Sequence, residues 1–79
     1  MITQATYLTG YSINVLFDDG TRKNIDLYEF LSNSKLPMVR KYLDIEKFRQ
    51  FRIEDGTLVW GDNEFDLNPM NIYNGVYDA

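Results

Sequence analysis

The chain has 79 residues, of which 12 are acidic and 8 basic, for a net charge of −4. That length holds one domain, expected to span residues 1–79, and excludes an enzyme whose cleft lies between two lobes. Neither histidine nor cysteine occurs, which removes imidazole acid–base chemistry, thiol nucleophiles, disulfides and the usual zinc and copper donors.

Thr3 to Leu8 is the first predicted strand, joined through Gly10 to a second. There Tyr11, Ile13, Val15 and Phe17 alternate with Ser12, Asn14 and Leu16, the period-two pattern of a half-buried strand. Asp18-Asp19-Gly20-Thr21 follows as a hairpin turn, with Asp-Gly expected at positive φ. Alternation resumes from Thr21 to Leu27, with Ile25 and Leu27 on one face. Asp26 is placed to start a short helix, Tyr28 to about Asn33, and Glu29 completes a capping-box pattern.

Pro37 suits the first position of another helix. Val39, Leu43 and Tyr42 share one face, and Ile45, Phe48 and Phe51 are expected to point inward. Asp44 either stops that segment or caps a second one, so spacing alone leaves one helix or two within 37–50. Phe51 to Glu54 and Thr57 to Trp60 form a second hairpin around Asp55-Gly56. A turn at Gly61-Asp62-Asn63 leads to a short strand, Glu64 to Leu67. Asn68-Pro69 opens a last helix, Met70 to Asn74, with Gly75 as its stop.

Two stretches share an order of parts. Phe17-Asp18-Asp19-Gly20-Thr21 leads to Ile25-Asp26-Leu27 and a helix; Ile53-Glu54-Asp55-Gly56-Thr57 leads to Phe65-Asp66-Leu67 and a helix. A duplicated binding unit has this form, and so do two independent uses of an easily built hairpin-then-helix. Either way the fold class is α+β: a small antiparallel sheet of about five strands, in two ββα-like units, with short helices packed on one face. One Trp, five Phe and six Tyr supply the bulk that so short a chain needs for a core, and they argue against disorder.

The ordered set Tyr11-x-x-x-Val15-x-Phe17-x-Asp19-Gly20, Asp26-Leu27, Phe48, Trp60 and Asp66-Leu67-x-Pro69-x-x-x-Tyr73 resembles the small bacterial DUF2442 family across nearly the whole chain. Gly61-Asp62-Asn63-Glu64-Phe65 departs from it, because the family tends to have Pro-Asn-Gly after the tryptophan. The resemblance implies a compact α+β domain with an antiparallel sheet and no established activity. Similar proteins stand alone, are fused to helix-turn-helix segments, or are encoded beside a small partner in a toxin–antitoxin-like arrangement. No appended DNA-binding domain is expected in these 79 residues.

Charge is unevenly spread. Residues 35–52 carry Lys35, Arg40, Lys41, Lys47, Arg49 and Arg52 against Asp44 and Glu46, a net +4, while the rest of the chain is −8. A basic segment on an acidic body suits an acidic protein surface or phosphate, and it is also what a solvated helix face looks like. The overall acidity argues against nonspecific DNA binding, and no recognition-helix or aromatic RNA-binding pattern occurs.

Asp62, Glu64 and Asp66 share a strand face and could attract calcium or magnesium, but they lack EF-hand spacing and read more simply as a solvent face. No Gly-rich phosphate loop is present. Trp60 reads as a core anchor, with an interface hot spot as the alternative. The tyrosines are too numerous for all to be buried, and 72–77 is the expected contact stretch.

The expected function is therefore a non-catalytic protein–protein interaction module in the cytoplasm. No apolar run exceeds three residues, and no basic-then-apolar leader pattern opens the sequence. Arg40, Lys41, Lys47, Arg49, Arg52, Tyr73 and Tyr77 are the candidate partner-binding residues, and no catalytic residue, metal or cofactor is expected. The partner is expected to be an unidentified protein; a nucleic-acid-associated regulator using 35–52 and a self-associating homo-oligomer are the alternatives.

Overall fold

A computed structural model of the chain describes residues 1–61, 65–67 and 69–74. Its strands are β1 (Ile2–Thr9), β2 (Ser12–Phe17), β3 (Arg22–Asp26), β4 (Arg52–Glu54), β5 (Thr57–Trp60) and β6 (Phe65–Leu67). Its helices are α1 (Tyr28–Asn33), α2 (Pro37–Arg40), α3 (Ile45–Phe48) and α4 (Pro69–Asn74), with a 3-10 turn at Lys41–Leu43. This is the anticipated α+β class, with antiparallel strands and short helices.

The strands fall into two antiparallel sheets among the described residues, β1-β2-β3 and β4-β5-β6. They meet at the start of β1. The Ile2 N–H donates to the Gly56 carbonyl at 2.8 Å, and the Asp18 N–H donates to the Met1 carbonyl at 2.9 Å. The Met1 ammonium lies 3.1 Å from the Asp18 carboxylate. Met1 thus sits between the two Asp-Gly turns, one from each hairpin.

Those two turns share a sequence but not a shape. In the second, Glu54 pairs with Thr57, so Asp55 and Gly56 form a two-residue loop with φ of 52° and 77°. Two successive positive φ angles are what a tight hairpin between twisted strands requires. In the first, the Phe17 N–H donates to the Thr21 carbonyl, which leaves a three-residue loop. Only Gly20 has positive φ there, at 90°, and the Asp19 carboxylate instead accepts the Thr21 N–H at 2.9 Å. The expectation of positive φ at Asp-Gly therefore holds for both residues of the second turn but only for the glycine of the first.

Asp26 does begin α1, but from one position further out than a capping box needs. Its carboxylate accepts the Tyr28 N–H at 3.0 Å, while Leu27 holds the N-cap position. The segment after Pro37 is two pieces. α2 runs into the 3-10 turn, Asp44 breaks it at extended backbone angles, and the same Asp44 side chain caps α3 through the Glu46 N–H at 3.1 Å. Asn68 and Gly75, the expected cap and stop of α4, lie outside the described residues.

Ile13, Val15 and Phe17 of β2 and Ile25 of β3 face one core, which also takes Leu31, Val39, Phe48, Leu58, Trp60 and Ile72. β5 is buried at Leu58, Val59 and Trp60 alike, which explains its unbroken apolar run. Trp60 is wholly buried and confirms its reading as a core anchor. Its indole N–H donates to the Phe48 carbonyl at 2.8 Å, and its ring stacks on that of Phe48 at 5.8 Å. Tyr42 and Phe51 close around it at 6.4 and 6.2 Å.

Candidate interaction surface

The basic residues singled out from the sequence are distributed over four elements, and most are engaged within the chain. The Arg40 guanidinium, at the end of α2, donates to the carbonyls of Ser32 at 2.7 Å and Ser34 at 3.2 Å. Those carbonyls belong to the end of α1, where helical geometry leaves acceptors without partners. Lys41 extends over the Tyr42 ring at 5.4 Å, and Arg49 covers the Tyr7 ring at 5.0 Å. Arg52 on β4 pairs with Glu54. Lys35, before α2, and Lys47 on α3 are exposed.

Tyr73 lies away from that set, on the first hairpin. Its hydroxyl donates to the Asp19 carboxylate at 2.9 Å, its ring meets Phe17 edge-on at 5.0 Å, and Lys23 extends over it at 5.4 Å. Hydrogen bonds from the Thr21 N–H, then the Thr21 hydroxyl and the Tyr73 hydroxyl, hold the Asp19 carboxyl below its ordinary pKa of 3.8. Asp19 and Tyr73 thus fasten α4 to the β2–β3 turn. Ile72 beside it is fully buried, so at these two positions the 72–77 stretch is core and clasp rather than open surface. Tyr77, Asp62 and Glu64 lie outside the described residues, and Asp66 is described only as a position in β6.

The surface that sequence reasoning missed is Leu36-Pro37-Met38. Leu36 is 63% and Met38 50% exposed, although both are large and apolar. The cause is local. Val39 faces the core, whereas Leu36 sits just before α2 on extended backbone and Met38, the residue next to Val39, is turned about 100° round the helix from it. Helical spacing does not mark them in advance, since Leu36 is three residues from Val39 and Met38 four from Tyr42.

This segment is fixed in place. Ser34 is buried, and its hydroxyl oxygen accepts the Leu36 N–H at 3.2 Å. The Leu36 carbonyl accepts the N–H groups of Val39 at 3.0 Å and Arg40 at 2.9 Å. Arg40 in turn holds the Ser34 carbonyl. Two apolar side chains are therefore displayed on a hydrogen-bonded scaffold, beside Lys35 and at the head of the basic segment.

A small α+β domain built from two antiparallel sheets, with Leu36 and Met38 among its exposed apolar side chains, defines the class of protein. Residues 2–78 match the family model described as a protein of unknown function (DUF2442), and the chain belongs to that family. The comparisons with curated proteins and with solved structures give no match. Among the described residues, no helix is long and apolar enough to cross a membrane.

Proposed function

We propose that the chain is a non-catalytic interaction module, working in the cytoplasm, that binds a protein partner through the surface from Ser34 to Lys41. The exposure of Leu36 and Met38 on a fixed segment carries this reading. Large apolar side chains at an exposed and ordered position give binding energy with little ordering cost. Lys35 beside them favours a partner with an apolar pocket and an acidic rim. A small companion protein of the toxin–antitoxin-like kind is the candidate that the family resemblance offers.

The nucleic-acid alternative is weaker, because Arg40, Arg49 and Arg52 use their guanidinium groups within the chain. The test is recovery of the tagged protein from its native cells, as wild type and as the Leu36→Asp/Met38→Asp variant. A stoichiometric protein that accompanies the wild type and is lost from the folded variant supports the reading. Recovery of both forms alone, or of the same protein with both, overturns it.

A further inference from the structure

Among the described residues β3 is an edge strand, and that edge is complementary to itself. The Phe17 N–H bonds the Thr21 carbonyl and the Leu27 N–H bonds the Tyr11 carbonyl. With the register Val15↔Lys23 and Ile13↔Ile25 between them, antiparallel alternation makes Thr21, Lys23, Ile25 and Leu27 the residues bonded to β2. The N–H and C=O groups of Arg22, Asn24 and Asp26 therefore point away from β2. No described residue bonds to them.

The other edges are less suited to pairing. β1 has register shifts between Ile2 and Gln4 and between Tyr7 and Thr9, and its start is bonded to Gly56. β4 and β6 are three residues each. β3 pairs with β2 through all five residues without a shift. Among the described residues it is a regular ladder with one side open, the condition that invites a further strand.

We propose that a second copy of this chain adds to that edge, β3 against β3, antiparallel about a two-fold axis at Asn24. This goes beyond the partner surface at 34–41 and uses none of its residues. The three outward-facing residues then meet in hydrogen-bonded pairs: Asn24 with Asn24 of the second copy, and Arg22 with Asp26 of the second copy, twice by symmetry. Arg22 and Asp26 are exposed, and with Asn24 they lie on the solvent face of the sheet. Both Arg22–Asp26 pairs join opposite charges, where a like-charged edge would repel itself. Within one copy Arg22 and Asp26 are four residues apart on an extended strand, roughly 13 Å, too far to pair. The product is a continuous six-stranded sheet.

The test is the mass in solution across concentration, by light scattering and sedimentation. The wild type is expected to approach twice the 9.3 kDa chain mass as concentration rises. Arg22→Asp and Asp26→Arg each place like charges across the axis and are expected to remain monomeric alone. Mixed in equal amounts, they restore opposite charges at both positions and are expected to form a heterodimer. Asp26→Arg also removes the bond to the Tyr28 N–H, so Asn24→Pro serves as an independent check. It deletes the outward N–H together with the Asn14–Asn24 side-chain bond, and leaves the backbone bonds to β2 in place. A wild type monomeric at every concentration overturns the proposal, and so does a dimer that survives both Arg22→Asp and Asn24→Pro.

Discussion

Tyr73 and Asp19 are 54 residues apart in the chain, yet the hydroxyl of one donates to the carboxylate of the other at 2.9 Å. The bond joins the last helix to the first hairpin turn and closes the two halves of the molecule on each other.

That clasp has a pH signature. The folded-state pKa of Asp19 is lowered, so its contribution is fully present above the ordinary value of 3.8 and is lost as the pH falls through the folded value. Tyr73→Phe removes one of the bonds responsible. Its thermal midpoint should lie below that of the wild type at neutral pH, and the two should converge in acid. An equal gap at every pH would detach Tyr73 from the ionised Asp19.

Trp60 is the largest fully buried side chain. Trp60→Ala should cost about 3–5 kcal/mol, a large part of the ~5–15 kcal/mol that holds a typical domain. Trp60→Phe keeps most of the apolar bulk but leaves the Phe48 carbonyl without its donor, at about 1–3 kcal/mol. Urea unfolding followed by circular dichroism would rank the three proteins in that order.

The two hairpin glycines should respond differently to alanine. Gly20 has φ of 90° and open space around it, so Gly20→Ala meets only the backbone penalty, about 1–2 kcal/mol. A Cβ on Gly56 would lie 2.6 Å from the Met1 Cβ, and its φ is 77°. Gly56→Ala must also displace the start of β1, where the two sheets join. It should be the more destabilising of the pair in thermal melts.

Arg40→Ala should lower stability by about 1 kcal/mol, because the end of α1 loses its donor. Lys47→Ala, on an exposed position of α3, should stay within about 0.5 kcal/mol of wild type. Equal effects in chemical unfolding would mean that the Arg40 bonds do not hold α1 in solution.

Local structure was legible in the sequence because it is set by local chemistry. Period-two alternation located the strands, and α1 spans the anticipated Tyr28 to Asn33. Asp44 resolved as a cap because its carboxylate reaches the Glu46 N–H two residues on. What escaped was set by distant neighbours. The junction of the two sheets depends on Met1 and Ile2 meeting turns far along the chain. The repeated Asp-Gly-Thr conceals two loops because strand register, not turn composition, decides loop length. Arg40 reads as surface charge until the carbonyls of Ser32 and Ser34 are placed beside it.

The central claim is that Leu36 and Met38 form a binding surface. Burying one such side chain in a partner is worth about 1.5–3 kcal/mol, or roughly tenfold or more in affinity. Calorimetric titration of the recovered partner against wild type and Leu36→Asp measures this directly. A loss of at least about tenfold, with an unchanged thermal midpoint, is the predicted result. Equal affinity for the two proteins would contradict it.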